Sequence, residues 1–261
     1  MSFRECFVDA DGFRIRFMEA GEGPVLIHLH GAGGLHLTPV HALLARDRRV
    51  IVFEMPGFGD SAENTRSAGM ADLASTMALA VRELGIEAFD LLGSSFGGKV
   101  ALWLTALHGE RVRALVLEGP AAIRPAGMQS PSGTPAQMAA LLFGHPERMQ
   151  PMPELTEAVR LKQRDLVWRL RGPDRDQALE DRMRGVEAPV LVLFGTLDRV
   201  MPPEMGRLYK TLLPNCHLVF VYDAGHSIGA ERPEAFAEVV GDFLERHEAF
   251  VISRRETMIY P

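Results

Sequence analysis

A chain of 261 residues, 47% hydrophobic and 24% charged, can bury a full core without staples, and its two cysteines, Cys6 and Cys216, exclude a disulfide framework or a cysteine-rich zinc module. The net charge of −6, with no block of Lys or Arg, argues against nucleic acid or an anionic membrane surface as a partner. No apolar run approaches the ~18 residues of a membrane span. The first six residues carry Glu5 where a secretory leader needs its apolar stretch, so a cytoplasmic protein with two separate, reduced thiols is expected.

In chain order, Cys6–Val8 and Arg14–Met18 flank the turn signal Asp9-Ala10-Asp11-Gly12 and predict an antiparallel hairpin. Six further strands are expected at Val25–His30, Val50–Glu54, Phe89–Leu92, Ala114–Glu118, Pro189–Phe194 and His217–Val221. Most are Val/Ile/Leu-rich with little alternation, as in strands covered on both faces. Between them lie helical patterns. Thr38-Pro39 opens a helix through Ala45, and Leu73, Met77, Ala80, Val81 and Leu84 share one face of a second, ended by Gly85. Val100, Leu104 and Leu107 line a third, and Phe236, Val239, Val240, Phe243 and Leu244 form a stripe after Pro233. Strands alternating with helices predict an α/β fold with a mostly parallel sheet.

Residues 121–186 break this rhythm. No convincing strand occurs there, and eight of the 17 prolines fall between Pro120 and Pro173. Three helical segments are expected: one after Thr134-Pro135 closed by Gly144, one from Glu154 to Leu170, and one from Asp174 to Met183. The chain therefore divides into a core of residues 1–120 and 187–261 and a helical insertion of 121–186. An insertion between two parallel strands lies at the carboxyl edge of the sheet, where ligands bind.

The sharpest chemical signal is Gly93-Ser94-Ser95-Phe96-Gly97-Gly98, directly between a strand and a helix. So tight a turn forces Ser95 into strained backbone angles and projects its hydroxyl above the sheet at a helix N-terminus. Ser94 is the wrong serine for this role. Serine needs a base, and His226 follows the last strand in Asp223-Ala224-Gly225-His226-Ser227, at the same edge. The base needs an acid to orient it, and Asp198 follows Pro189–Phe194 through Gly195-Thr196-Leu197. A turn aspartate paired with Arg199 is the structural alternative. His28 and His30 stand two apart but lack further ligands, so His28 is read as a packed strand histidine and no metal is expected. His30-Gly31-Ala32-Gly33-Gly34 offers small residues whose backbone can approach a carbonyl, so the N–H groups of Ala32 and Phe96 are the expected oxyanion donors. Gly31-Ala32-Gly33, with Glu54 at the end of the next strand, also mimics a dinucleotide fingerprint, but His36 stands at the third glycine.

The order Ser95, Asp198, His226, with its upstream His-Gly loop, resembles the α/β-hydrolase superfamily over nearly the whole chain. Glu54-Met55-Pro56-Gly57-Phe58-Gly59-Asp60-Ser61 and Arg232-Pro233 add to the resemblance, although the family usually has Asp at Glu54. It implies an α/β-hydrolase fold with an eight-stranded sheet, one antiparallel strand near its start, and a cap over the active site. The expected activity is that of a cofactor-free serine hydrolase acting on a small, mostly apolar ester, thioester or lactone. Met138, Leu141, Phe143 and Trp168 are the candidate pocket residues on the cap. Hydrolysis of carbon–carbon bonds in ring-cleavage diketones is the main alternative. Leu117-Glu118-Gly119-Pro120-Ala121-Ala122 looks like those enzymes, but they typically carry Asn at Ser94, Trp at Ser227 and Pro-Gly at Gly33-Gly34. Paired basic groups at the pocket, with Arg124 and Arg169 as candidates, would favour such acidic substrates. Perhydrolysis by the same triad and a non-catalytic ligand receptor on the same fold stay open. The partner expected is a small-molecule substrate, and an exposed apolar cap face could support a homodimer.

Overall fold

The computed structural model describes residues 2–124, 127, 131, 133–150 and 155–250. The N-terminal hairpin joins β1 (Arg4–Ala10) to β2 (Phe13–Ala20), and Asp11 and Gly12 turn it with φ of 50° and 76°. It is longer than expected at both ends because its alternating pattern runs on in register from Arg4↔Glu19 to Ala10↔Phe13. Next come β3 (Val25–Leu29), α1 (Pro39–Leu44), β4 (Arg49–Phe53), α2 (Met70–Glu83), β5 (Phe89–Ser94), α3 (Phe96–His108) and β6 (Val112–Glu118). After β6 the chain forms α4 (Pro135–Leu142), α5 (Glu157–Leu170) and α6 (Gln177–Met183). It then returns through β7 (Val190–Gly195), α7 (Gly206–Leu212), β8 (Cys216–Val221), α8 (Ile228–Glu231) and α9 (Pro233–Arg246).

The strands form one eight-stranded sheet in the order β1-β2-β4-β3-β5-β6-β7-β8. Only β2 runs against its neighbours, pairing antiparallel with both β1 and β4, and β3 to β8 are parallel. Every residue of β7 is buried, as its Val/Leu run requires of a strand covered on both faces. The sheet separates two apolar cores. One contains Leu73, Met77 and Val81 of α2 with Val100 and Leu104 of α3. The other holds the α9 stripe Phe236, Val239, Val240, Phe243 and Leu244 against Val116, Leu191 and Val219.

Between β6 and β7 the described residues contain helices and no strand. Thr134 caps α4 by accepting from the Gln137 N–H at 3.3 Å, while Gln137 Oε1 accepts from the Thr134 N–H at 2.8 Å, a reciprocal capping box. The expected start of the next helix at Glu154 lies outside the described residues, as do Pro125, Pro151 and Pro153 of the Pro-rich stretch. The described helix begins at Glu157 under a Thr156 cap. The third helix starts later than Asp174 because the Asp176 side chain accepts from the Leu179 N–H and ends the preceding loop. Cys6 and Cys216 are both free thiols. No helix among the described residues is long and apolar enough to cross a membrane.

Candidate active site

Ser95 occupies the junction of β5 and α3 with φ 52° and ψ −112°, a backbone region that a non-glycine residue enters only under strain. Tight packing holds it there. A Cβ on Gly97 would stand 2.1 Å from the Leu29 carbonyl oxygen, so only glycine lets α3 begin this close to β3. The Ser95 N–H donates to the Glu118 carbonyl at 2.9 Å, and the Ser95 carbonyl accepts from Gly98 and Ala121, each at 2.9 Å.

Those bonds also aim the neighbouring N–H. The Ser95 carbonyl and the Phe96 N–H belong to one trans peptide and point in opposite directions. With the carbonyl held by Gly98 and Ala121, the Phe96 N–H faces the other way, in the first turn of α3 where no intrahelical acceptor exists. The same logic governs Ala32. Buried His30 accepts the Met55 N–H on Nε2 at 3.1 Å, so its Nδ1–H donates to the Gly31 carbonyl at 2.7 Å. The Gly34 N–H also reaches that carbonyl, at 3.2 Å, and the opposite side of the same peptide carries the Ala32 N–H. Burial drives the His30 pKa down to about 4, which keeps the ring neutral and able to accept and donate at once. Gly31 lies against Ser95: a Cβ there would sit 3.4 Å from the Ser95 Cβ.

His226 and Asp198 meet at 2.7 Å, Nδ1 to Oδ2, and both are buried. The other Asp198 oxygen accepts the N–H groups of Val200 at 2.9 Å and Met201 at 2.8 Å, which settles the carboxylate against its own loop. Arg199 is not its partner among the described residues. The imidazole Nε2 of His226 is buried and has no hydrogen-bond partner in the described structure. Ser95 and His226 line the same cavity, but no hydrogen bond joins them in this state, as is common before substrate tightens a site.

That cavity has a volume of about 460 Å³. Ala32, Phe96, Met138, Phe143 and Trp168 line it. Leu141 does not. Its neighbour Leu142, one residue further round α4, lines the cavity with Met138. Arg124 is on the cavity wall, but Arg169 is not: its guanidinium donates to the carbonyls of Asn64 and Ser67. Val167, Lys99 and Arg171 line the wall without having been singled out from sequence. The amphipathic phase of α5 could have suggested Val167, one residue from Trp168. No local signal marks Lys99, which donates to the carbonyls of Arg171 at 2.7 Å and Pro173 at 3.1 Å.

His28 bonds His41 and Ser94, and among the described residues there is no group of three or more His, Cys, Asp or Glu at metal-ligand spacing. Glu54 performs the turn task expected of an aspartate. Its Oε2 accepts from the N–H groups of Asp60 at 2.7 Å and Ser61 at 3.1 Å, and Arg16 pairs with Oε1 at 3.0 Å.

Residues 26–239 match the model of the alpha/beta hydrolase family. The chain is 30% identical to a 2-hydroxymuconate semialdehyde hydrolase of Pseudomonas putida, over 92% of this chain and 94% of that protein. It is 29% identical to a pimeloyl-[acyl-carrier protein] methyl ester esterase of Neisseria meningitidis, over 84% of this chain and 92% of that protein. Among solved structures, the 2-hydroxy-6-oxo-6-phenylhexa-2,4-dienoate hydrolase of Rhodococcus sp. strain RHA1 superposes with a TM-score of 0.81 at 22% identity, covering 94% of this chain and 99% of that one. A strained serine elbow at the carboxyl edge of such a sheet, with relatives of these kinds along most of its length, means that this chain is a hydrolytic enzyme and belongs to the alpha/beta hydrolase family.

Proposed function

We propose that the protein hydrolyses carboxylic esters of small, mainly apolar acyl groups through a Ser95–His226–Asp198 triad, beneath a cap formed by residues 121–186. In this reading Ser95 Oγ attacks the ester carbonyl and gives its proton to His226 Nε2. Asp198 holds the Nδ1–H tautomer and stabilises the imidazolium. The N–H groups of Ala32 and Phe96 receive the oxyanion, each donor being worth about 3 kcal/mol of barrier. The protonated His226 releases the alcohol, and a water deprotonated by the same nitrogen then frees the acyl group. Nothing in this sequence calls on a cofactor.

The observation that carries the ester reading is the character of the cavity above Ser95. Met138, Leu142, Phe143, Val167 and Val200 form much of its wall. The basic groups at its rim are already engaged by the protein. Lys99 holds cap carbonyls, Arg124 faces Asp174 at 3.9 Å and the Val200 carbonyl at 3.5 Å, and Arg171 pairs with Asp174 at 3.2 Å. An acyl chain gains from such a wall by burial alone, at about 25 cal/mol per Å² of apolar surface.

Carbon–carbon bond hydrolysis is the second reading. The buried Arg124 on the cavity wall favours it, and so do the names of the relatives that share about 30% of this sequence. The two are separated by supplying p-nitrophenyl butyrate and a 2-hydroxy-6-oxohexa-2,4-dienoate in parallel. Ester turnover with no bleaching of the dienoate supports the first reading, and a kcat/KM at least tenfold higher on the dienoate replaces it with the second. Absence of both activities, with no fluorophosphonate labelling at Ser95, would sink the triad itself.

A further inference from the structure

Beneath the elbow lies a line of buried polar groups that the triad does not use. The Thr38 N–H donates to His41 Nδ1 at 2.9 Å. The proton of His41 is therefore on Nε2, which meets His28 Nδ1 at 2.9 Å. His28 then carries its proton on Nε2 and donates to Ser94 Oγ at 2.9 Å. The Ser94 hydroxyl donates to Glu118 Oε2 at 2.5 Å, and the Gly229 N–H donates to Glu118 Oε1 at 2.8 Å. A backbone N–H at one end sets every tautomer, and all donors run one way into a single carboxylate. Two neutral histidines and an ionised Glu118 complete the line with no donor or acceptor unpaired. Charging either ring would set two protons against each other. Burial enforces the neutral rings, driving His41 to about 4 and His28 well below its ordinary value.

The carboxylate at the end of this line stands at the end of β6, where the next residue, Gly119, packs against the His226 ring. A Cβ on Gly119 would stand 2.9 Å from both Cε1 and Nδ1 of His226 and 3.4 Å from Asp198 Oδ2. The Gly229 N–H held by Glu118 opens α8, three residues after His226. Glu118, Ser94, His28, His41, Ser95 and His226 all line one cavity. The ionisable groups around Glu118 are His28 on β3, His41 on α1, Asp198 after β7 and His226. On α8, Glu231 is occupied by the N–H groups of Gly225 and His145.

We infer that Glu118 is a positioning residue for His226: a second buried carboxylate, kept ionised by the Ser94–His28–His41 line, whose charge stabilises the imidazolium formed in the reaction and whose bond to Gly229 anchors the loop that carries the ring. The inference rests on the assignment of His226 as the general base. Burial first, with the charge of Asp198, leaves the Glu118 carboxyl above its ordinary value, and the Gly229 N–H, the Ser94 hydroxyl and the charge of His226 act in the opposite direction. For the tie to α8 alone a neutral amide would serve, because Gln offers Gly229 the same acceptor, while its NH2 would deprive the Ser94 hydroxyl of an acceptor and so affect stability and not the charge felt by His226. That difference is testable.

The experiment is an NMR titration of the His226 ring in the full chain, with the resonance identified by its loss in His226→Asn. In Glu118→Gln the His226 pKa should fall by about one unit, since a nearby opposite charge has been removed. In Glu118→Asp, which restores the charge, it should return to within a few tenths of the parent value. The pH profile of fluorophosphonate labelling at Ser95 should move its acid limb by the same amount, and kcat should drop about tenfold with little change in KM. Should E118Q not fold, E118Q/S94A removes the hydroxyl that the amide would meet, at the cost of the acceptor of the His28 Nε2–H, and carries the same expectation. A His226 pKa unchanged in the folded neutral variant overturns the inference and leaves Glu118 a structural tie. Loss of all labelling in the parent protein would instead reject His226 as a base, while the ring titration still decides whether Glu118 acts on it.

Discussion

The backbone N–H of His226 donates to the carbonyl of Leu142 at 2.8 Å, so the last turn of α4 holds the loop that presents the imidazole. The contact is close along its length: a Cβ on Gly225 would lie 2.5 Å from the Gly144 N and 2.8 Å from the Leu142 oxygen. The helical insertion and the proposed base are thus positioned by each other. A change in how α4 sits moves the ring, and a change beside the ring moves α4.

Gly225→Ala should therefore lower both stability and activity. The methyl would meet backbone atoms at 2.5 and 2.8 Å, so the loop must shift by about 1 Å, which is expected to lower kcat/KM by about 10- to 100-fold. The far-UV circular dichroism spectrum should be unaltered. Parent-like kinetics would show that α4 and the histidine loop are not coupled.

In the proposed triad Asp198 has two tasks, holding His226 and settling its own loop, and Asp198→Asn separates them. An amide oxygen can still accept from Val200 and Met201, whose N–H groups now bond Oδ1. The amide NH2 would then face His226 Nδ1 and force the proton onto Nε2, where the ring could no longer take the Ser95 proton. A fall in kcat of about 10³- to 10⁴-fold is expected, with the thermal midpoint little changed. A loss below tenfold would require another acid.

Replacing Ser95 should reveal the strain at the elbow. Ser95→Gly removes the Cβ from a backbone at φ 52°, a conformation that costs a non-glycine residue about 1–3 kcal/mol. Glycine's extra unfolded-state entropy offsets part of the gain. A net stabilisation of about 1 kcal/mol is expected, a rise in Tm of about 2–4 °C. Ser95→Ala keeps the strain and should melt with the parent. Both should abolish fluorophosphonate labelling, and an S95G variant no more stable than S95A would show the elbow to be relaxed.

His145 adds a pH-dependent contact between the insertion and the core. Its Nε2 meets Asp223 Oδ1 at 2.6 Å and its Nδ1 meets Glu147 at 2.9 Å, and these two carboxylates, Asp223 first, hold its pKa above the ordinary value. Folding therefore raises the affinity of this ring for a proton. The contribution is complete below the unfolded pKa of about 6.5 and is lost as pH rises through the higher folded value. The buried, neutral His28, His30 and His41 give the opposite slope over part of this range, so the contribution of His145 is read from the difference between the parent and His145→Gln, which should shrink as pH rises from slightly acid to mildly alkaline. Denaturant midpoints at about pH 6 and about pH 9 check the sign. An equal slope in both proteins would remove His145 as its source.

Much of this was legible in the chain itself. Glycine-flanked Ser95 directly between an apolar run and a helical stripe, and Asp198 and His226 each a few residues past a strand, put three groups at one edge by topology alone. Parallel strands all present their carboxyl ends to the same side, so knowing where strands end is enough to bring Ser95, Asp198 and His226 near one another. Leu141 shows the limit. Its composition suited a pocket wall, but which of two adjacent leucines faces the cavity depends on how α4 is rotated, and that is decided by tertiary contacts such as the His226 N–H on the Leu142 carbonyl. Arg169 shows the same: the carbonyls of Asn64 and Ser67, about a hundred residues away, draw it from the site.

From its amino acids alone the chain dictates an alternating sheet-and-helix architecture and the ends of strands where chemistry can be placed, because hydrophobic periodicity and glycine or proline punctuation act over a few residues. The line from Thr38 through His41, His28 and Ser94 to Glu118 was decided only when β3, α1, β5 and β6 were packed together. Sequence neighbours put Thr38 at a helix start, His28 in a strand and Glu118 at a strand end, but none of them shows that these residues meet. Buried polar groups take whatever partners the fold brings within hydrogen-bond reach, and those partners lie as far apart as residues 28 and 94.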